Sequence, residues 1–87
     1  MSDSTIQQRR ERRRAFLRRL YEAVDGSVSE FVHAYELGAD LGIEEAEVRM
    51  IFEYLEEKQF VMVDDHRAGV VRLTALGVDE VESGVQQ

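Results

Sequence analysis

The chain has 87 residues, of which 44% are hydrophobic, and it contains neither cysteine nor proline. This length suffices for one small domain, and the lack of cysteine excludes disulfides and thiolate metal sites. No apolar run approaches the roughly 20 residues that cross a bilayer, and the polar first residues lack the apolar core of a secretory signal, so we expect a cytoplasmic protein.

Charge is divided unevenly along the chain. Residues 1–19 hold seven arginines against two carboxylates, a net charge of +5, whereas residues 20–87 hold four cations against sixteen carboxylates, a net charge of −12. Like charges clustered this closely are typical of interaction segments. We therefore divide the chain into a basic arm, residues 1–14, and a folded domain, residues 15–87. The arm is either a solvated helical extension or a disordered segment.

Three helices are predicted in the first two thirds of the chain. The first carries apolar residues at three- and four-residue spacing and stops at Asp25-Gly26. The second covers about residues 34–41, and the third begins at Glu44. The third helix has the most regular stripe of apolar residues in the sequence, formed by Val48, Ile51, Phe52 and Leu55.

The periodicity changes from helix to strand at Phe60. Two β-prone runs, residues 60–63 and 70–73, are joined by a turn-like segment that ends in Gly69, which predicts a hairpin. Alternation places Val61, Val63, Val71 and Leu73 on one face and Met62 and Arg72 on the other. Thr74 is the expected N-cap of a last helix.

Several short motifs follow this order of elements. Residues 36–43 read ELGADLGI, residues 48–55 begin with valine and end with leucine, and residues 73–77 read LTALG. They resemble the E-L-A-x-x-L-G-I second helix, the V-x-x-x-L-x-x-L third helix and the L-T-x-x-G segment of winged helix-turn-helix domains in MarR-like and PadR-like regulators. Phe60-Val61 is similar to the apolar pair that opens the wing. The resemblance covers about residues 15–82.

That resemblance implies an α+β winged helix-turn-helix fold. It comprises a three-helix core, a two-stranded wing and a C-terminal helix, with the N-terminal helix extended by the basic arm. One position departs from the pattern, since the family usually has glycine directly after the third helix and this chain has Gln59. A left-handed conformation there costs a non-glycine residue about 1 kcal/mol, so we expect a modified helix end.

The resemblance also implies a small DNA-binding regulator that forms a homodimer. Such a domain places its third helix in the major groove. The family's positions direct Arg49 and Met50 toward the bases and place Arg67 at the wing tip. The arm adds bidentate phosphate donors, namely Arg9, Arg10, Arg12, Arg13 and Arg14. The other outward residues of the third helix are mostly glutamates, which oppose contact with a polyanion.

The alternative function is a protein-interaction module. In that case the acidic third helix and the basic arm mediate assembly, either with a second copy or with an acidic protein partner. The predicted homodimer contact consists of Phe16, Leu20, Tyr21 and Val81.

No catalytic group, cofactor site or metal site is expected. The two histidines, His33 and His66, fall at the start of the second helix and at the wing tip. Without cysteine, each of them needs several converging carboxylates to complete a metal site. The glycines form no phosphate-binding loop. We therefore expect a protein that binds a partner and catalyses no reaction.

Overall fold

Four helices and one sheet make up the part of the chain that the structure, a computed structural model, describes: residues 3–85, with side chains from 5 to 84. The elements are α1 (Asp3–Val24), β1 (Val32–His33), α2 (Ala34–Asp40), α3 (Glu45–Glu57), β2 (Val61–Asp65), β3 (Val70–Leu73) and α4 (Ala75–Val85). The radius of gyration is 12.2 Å, and about 12 Å is expected for a compact domain of this length. Within residues 3–85, no helix is long and apolar enough to cross a membrane.

The hairpin has the register that the alternation predicts. The inner-face pairs are Val61 with Leu73 and Val63 with Val71, and the outer-face pair is Met62 with Arg72. Strand β1 pairs antiparallel with β3 and completes a sheet of order β1-β3-β2. Strand β2 continues two residues beyond its predicted end, because a bulge between Val63 and Asp65 lets the ladder resume at Asp65.

The hydrophobic core combines the inner face of the sheet with α1, α2 and α3. Phe16 and Phe52 are its largest fully buried side chains, and the α3 stripe predicted from the sequence is buried throughout. Leu20 is also completely buried within the single chain. The predicted homodimer contact through Phe16 and Leu20 is therefore wrong, because a second subunit cannot reach either side chain. Tyr21 and Val81 are half-buried against the same core.

Helix α3 ends in a left-handed residue although that residue is not glycine. Gln59 has a φ of 66°. The amides of Gln59 and Phe60 donate to the carbonyls of Glu56 and Leu55, both at 2.9 Å, which is the Schellman arrangement. The expected modified helix end is therefore wrong: the backbone keeps the ending that glycine favours, and the glutamine adopts a strained conformation.

Thr74 joins this helix end to the start of α4. Its hydroxyl donates to the carbonyl of Gln59 at 2.6 Å and accepts the amide of Gly77 at 3.0 Å. Its own amide donates to the carbonyl of Phe60 at 3.1 Å. The prediction that Thr74 caps the last helix is confirmed, and the same side chain fixes the segment that leaves α3.

Replacing Gln59 with glycine is expected to stabilise the domain by about 1 kcal/mol, because glycine adopts the left-handed conformation without the steric cost. The measurement is the free energy of unfolding from chemical denaturation. Glu57→Gly, two residues earlier and inside the helix, is the matched control and should lower stability by up to about 1 kcal/mol. Equal destabilisation by both substitutions contradicts the assignment of strain to Gln59.

A hydrogen bond between α1 and α4 raises the pKa of a tyrosine. The hydroxyl of Tyr21 donates to Glu82 Oε2 at 2.8 Å. This bond raises the pKa of Tyr21 above its ordinary value, and partial desolvation and the negative charge of Glu82 act in the same direction. The contribution to stability is complete below about pH 10, the unfolded pKa, and is lost as the pH rises through the higher native pKa.

In Glu82→Gln the pKa of Tyr21 is expected to fall toward its ordinary value, because the substitution removes the negative charge of the acceptor. The measurement is a spectrophotometric titration of the tyrosines in the folded protein. Glu80→Gln, on the same helix, removes one carboxylate without touching Tyr21 and should leave the curve unchanged. Identical curves for wild type and Glu82→Gln contradict the role of this bond.

Candidate functional site

From Asp3 onward the basic arm is helical. Helix α1 begins at Asp3 and runs without a break through residues 14 and 15, which settles the choice between a helical extension and a disordered segment. Of the predicted phosphate donors on the arm, only Arg13 is half-buried, and the remaining four, Arg9, Arg10, Arg12 and Arg14, are exposed.

Two arginines of the arm contact α3. Arg12 Nη1 donates to both carboxylate oxygens of Glu47, at 2.9 and 3.1 Å. The guanidinium of Arg13 lies over the ring of Tyr54, 4.4 Å from its centroid, within the range of a cation–π interaction. The arm therefore lies along one side of α3, and two of its five predicted phosphate donors already have partners there.

The outer face of α3 is acidic. Six glutamates lie between residues 44 and 57, and the exposed positions of α3 hold Glu45, Ala46, Arg49, Met50, Glu53, Tyr54 and Glu57. Met50 is 60% exposed. Arg49 forms an ion pair with Glu53, with Nε 3.2 Å from Oε2. The predicted DNA-facing residues Arg49 and Met50 are thus at the surface, but the only arginine on this helix is paired with a carboxylate of the same helix.

The tip of the hairpin also meets α3. His66 Nε2 lies 3.0 and 3.1 Å from the two carboxylate oxygens of Glu56. The side chain of Asp65 accepts the backbone amides of Arg67 and Ala68, both at 3.0 Å, which shapes the turn. The side chain of Arg67 is exposed at this tip. The hairpin and the arm therefore contact α3 through different glutamates.

Arg72 makes its contacts away from α3. It lies on the outer face of the sheet, where Nη1 donates to the carbonyl of Val28 at 3.2 Å and the guanidinium lies 6.0 Å from the centroid of the Phe31 ring. Arg72 is thus held against the segment between α1 and β1. Arg49 and Arg72 are therefore each engaged within the domain, Arg49 with Glu53 and Arg72 with the carbonyl of Val28.

A groove that the sequence reasoning missed lies between α1, the end of α3 and α4. It has a volume of about 760 Å³. Its cationic side chains are Arg10, Arg13, Arg14, Arg18 and Lys58, against one carboxylate, Glu80. We call this feature the basic groove. Apolar side chains also line it, among them Leu17, Phe60 and Val81. It is a concentration of positive charge in a chain whose net charge is −7.

One signal for this groove is visible in the sequence. Arg10, Arg14 and Arg18 recur at four-residue intervals, which places them on one face of a helix. Lys58 and the residues of α4 come from distant parts of the chain, and only the folded structure brings them to the same place.

The histidines and acidic residues form no metal centre in the described part of the chain, where no three side chains of ligand type converge. His33 precedes α2 at the N-cap position, but its side chain makes no capping hydrogen bond. His66 contacts one glutamate, as described above.

Comparison with known proteins adds no relative: no family model matches the chain, and neither a curated protein nor a solved structure does. The fold and the surface define the class of protein as an α+β domain with four helices and a three-stranded antiparallel sheet in its described residues. What distinguishes this domain is an acidic α3 beside a basic groove.

Proposed function

We propose that this chain is a winged-helix module that binds an acidic protein partner and catalyses no reaction. The order of helix, strand, two helices, hairpin and helix supports the winged-helix assignment, as do the ELGADLGI and LTALG motifs. In this assignment α3 occupies the position of a recognition helix and β2–β3 the position of a wing.

The observation that carries the proposal is that arginines at the surface of α3 are already paired with its glutamates. Arg12 and Arg49 each form an ion pair with a glutamate of this helix, and the ring of His66 forms a hydrogen bond with a third glutamate. Specific DNA interfaces are strongly positive, because neutralising phosphates releases counterions and supplies much of the affinity. A helix whose own arginine, Arg49, and whose neighbour Arg12 are both paired with its carboxylates is poorly suited to the major groove. The exposed arginines of α1 remain available to a partner with negative charge.

The test compares two labelled probes, a short DNA duplex and an acidic amphipathic peptide, by fluorescence anisotropy with the full chain. At about 0.15 M salt, where surface charges are strongly screened beyond ~8 Å, the peptide should bind more tightly than the duplex. Met50→Ala should leave binding of the peptide unchanged. Tighter binding of the duplex, weakened by Met50→Ala and Arg49→Gln, contradicts the proposal.

DNA binding is the second candidate, and a specific observation favours it. Arg9, Arg10 and Arg14 are exposed and make no ion pair among the residues that the structure describes. In this alternative the arm contacts phosphates, with Arg49 and Met50 facing the major groove and Arg67 the minor groove. The triple variant Arg9→Gln/Arg10→Gln/Arg14→Gln should then reduce the slope of log K against log salt by about 0.9 for each phosphate that the arm no longer neutralises. An unchanged slope rules out the arm as the phosphate-binding element.

A further inference from the structure

We propose that the basic groove receives the apolar face of an acidic amphipathic helix from a partner protein. This inference rests on the function proposed above and assigns to it a site and a partner chemistry. It depends on three features of the groove: the placement of its cations, the apolar side chains between them, and the elements that form its walls.

The cations stand on two sides of the groove. Arg10, Arg14 and Arg18 project from one face of α1, and Lys58 follows the last residue of α3. Arg10, Arg14 and Lys58 make no ion pair within the described residues. Their charge is therefore not compensated inside the domain, and it complements a segment that carries carboxylates along both edges.

The side chains between these cations are apolar. Phe60 and Val81 are half-buried, and Tyr54 is 42% exposed beneath Arg13. Leu17 and Leu55 complete the lining from the core. A nucleic-acid backbone offers phosphates and sugars but no aliphatic side chains to cover such a surface, whereas an amphipathic peptide offers both carboxylates and apolar anchors. The combination therefore favours a peptide occupant.

The walls of the groove favour a helix over an extended strand. Its residues come from α1, α3, α4 and the short link at Phe60, so the groove exposes no strand edge with which an extended peptide could pair. Peptides that bind between helices do so as amphipathic helices, with anchors at positions i, i+3, i+4 and i+7.

A second copy of the chain is a less suitable occupant. In such a contact the acidic face of α3 on one molecule would dock into the basic groove of another, so the two molecules would use different surfaces. Such a heterologous contact does not close on itself unless the rotation forms a ring, and otherwise it propagates into filaments. The partner that the groove favours is therefore a different protein with an acidic helix.

The experiment uses a synthetic helical peptide with leucines at i, i+3, i+4 and i+7 and glutamates at most other positions, together with a control peptide of the same composition and scrambled order. The full chain is compared with two charge-matched double variants. Arg14→Glu/Lys58→Glu changes the basic groove, and Arg9→Glu/Arg67→Glu makes the same change of charge outside it. All four positions are exposed, and circular dichroism verifies that both variants fold.

The wild-type chain should bind the amphipathic peptide at least about tenfold more tightly than the scrambled one. The groove variant should weaken this binding by about tenfold and the control variant by no more than roughly threefold, since an isolated exposed charge contributes little. Equal affinity for both peptides, or equal weakening in both variants, shows that the basic groove is not the binding site. Either result is still compatible with an acidic protein partner that binds elsewhere on the chain. If the chain binds duplex DNA and neither peptide, the proposed function itself fails.

Sedimentation of the chain without peptide tests whether a second copy of the chain occupies the basic groove. A single species of monomer mass over a wide range of concentration supports the proposal. Concentration-dependent assembly that Arg14→Glu/Lys58→Glu abolishes, and Arg9→Glu/Arg67→Glu does not, identifies a second copy as the occupant and overturns it.

Discussion

Gly77→Ala is expected to destabilise the domain by about 3 kcal/mol, near the upper end of the cost of overpacking. A β-carbon at this position in α4 would overlap the carbonyl oxygen of Phe60, and it would lie 3.0 Å from Leu73 Cδ1. The Phe60 carbonyl cannot move aside easily, because it accepts the amide of Thr74 at 3.1 Å. To relieve the overlap, the start of α4 has to move away from the end of α3.

This destabilisation should lower Tm by roughly 15 °C, since 1 kcal/mol corresponds to about 4–8 °C in a domain of this size. Gly84→Ala in the same helix is the matched control. A β-carbon there meets no atom within 4 Å, and alanine is the better helix former by about 1 kcal/mol. Thermal unfolding of both variants should therefore give shifts of opposite sign. A similar Tm for Gly77→Ala and wild type contradicts the close approach of α4 to Phe60.

The second large effect is expected at Gly38, where α2 packs closely against α3. Gly38 is buried, and a β-carbon there would overlap Cγ2 of Val48 and lie 3.4 Å from its Cβ. Val48 is itself completely buried, so its side chain has no free space to enter. Gly38→Ala is therefore expected to cost about 2 kcal/mol, measured by chemical denaturation.

A double-mutant cycle separates this overlap from a general weakening of helix packing. Val48→Ala alone leaves a cavity and destabilises, but it also removes the methyl group that Gly38→Ala would strike. The double variant should be more stable than the sum of the two single effects predicts, by at least about 1 kcal/mol. Simple additivity contradicts the direct contact between positions 38 and 48.

The parts of the fold that could be predicted are those set by local periodicity. The α3 stripe, the pairing of Val61 with Leu73 and the cap at Thr74 each depend on residues that are close in sequence or on strict alternation. The role of Gly38 could not be predicted from local periodicity. The motif ELGADLGI places it on α2, but only the packing of α2 against Val48 shows that no side chain fits there.

Two expectations failed for identifiable reasons. The sequence predicts a homodimer contact at Phe16 and Leu20, but both side chains face the core. An apolar stripe on a helix does not reveal whether it packs against its own core or against another subunit. At Gln59 the steric cost of a left-handed residue was expected to change the helix end. The backbone keeps that conformation because the hydrogen bonds of Phe60 and Thr74 hold the segment on both sides.

The candidate site could be predicted only in its composition. The clustering of arginines on the arm is evident from the sequence, and so is the acidity of α3. The pairing of Arg12 with Glu47, 35 residues apart, and the joining of Arg14, Lys58 and Val81 in one groove are consequences of tertiary packing. Net charge per segment indicates that opposite charges exist, but it does not indicate which of them meet.

The protein-binding role of the basic groove is tested most directly by an NMR titration of the isotope-labelled full chain with the acidic amphipathic peptide. We expect the amide signals of Leu17, Lys58 and Val81, which line the basic groove, to change most. The signals of Met50 and Glu53 on the outer face of α3 should change little. The opposite pattern, with the largest changes at Met50, Glu53 and the hairpin tip and the same changes produced by duplex DNA, contradicts a protein-binding role.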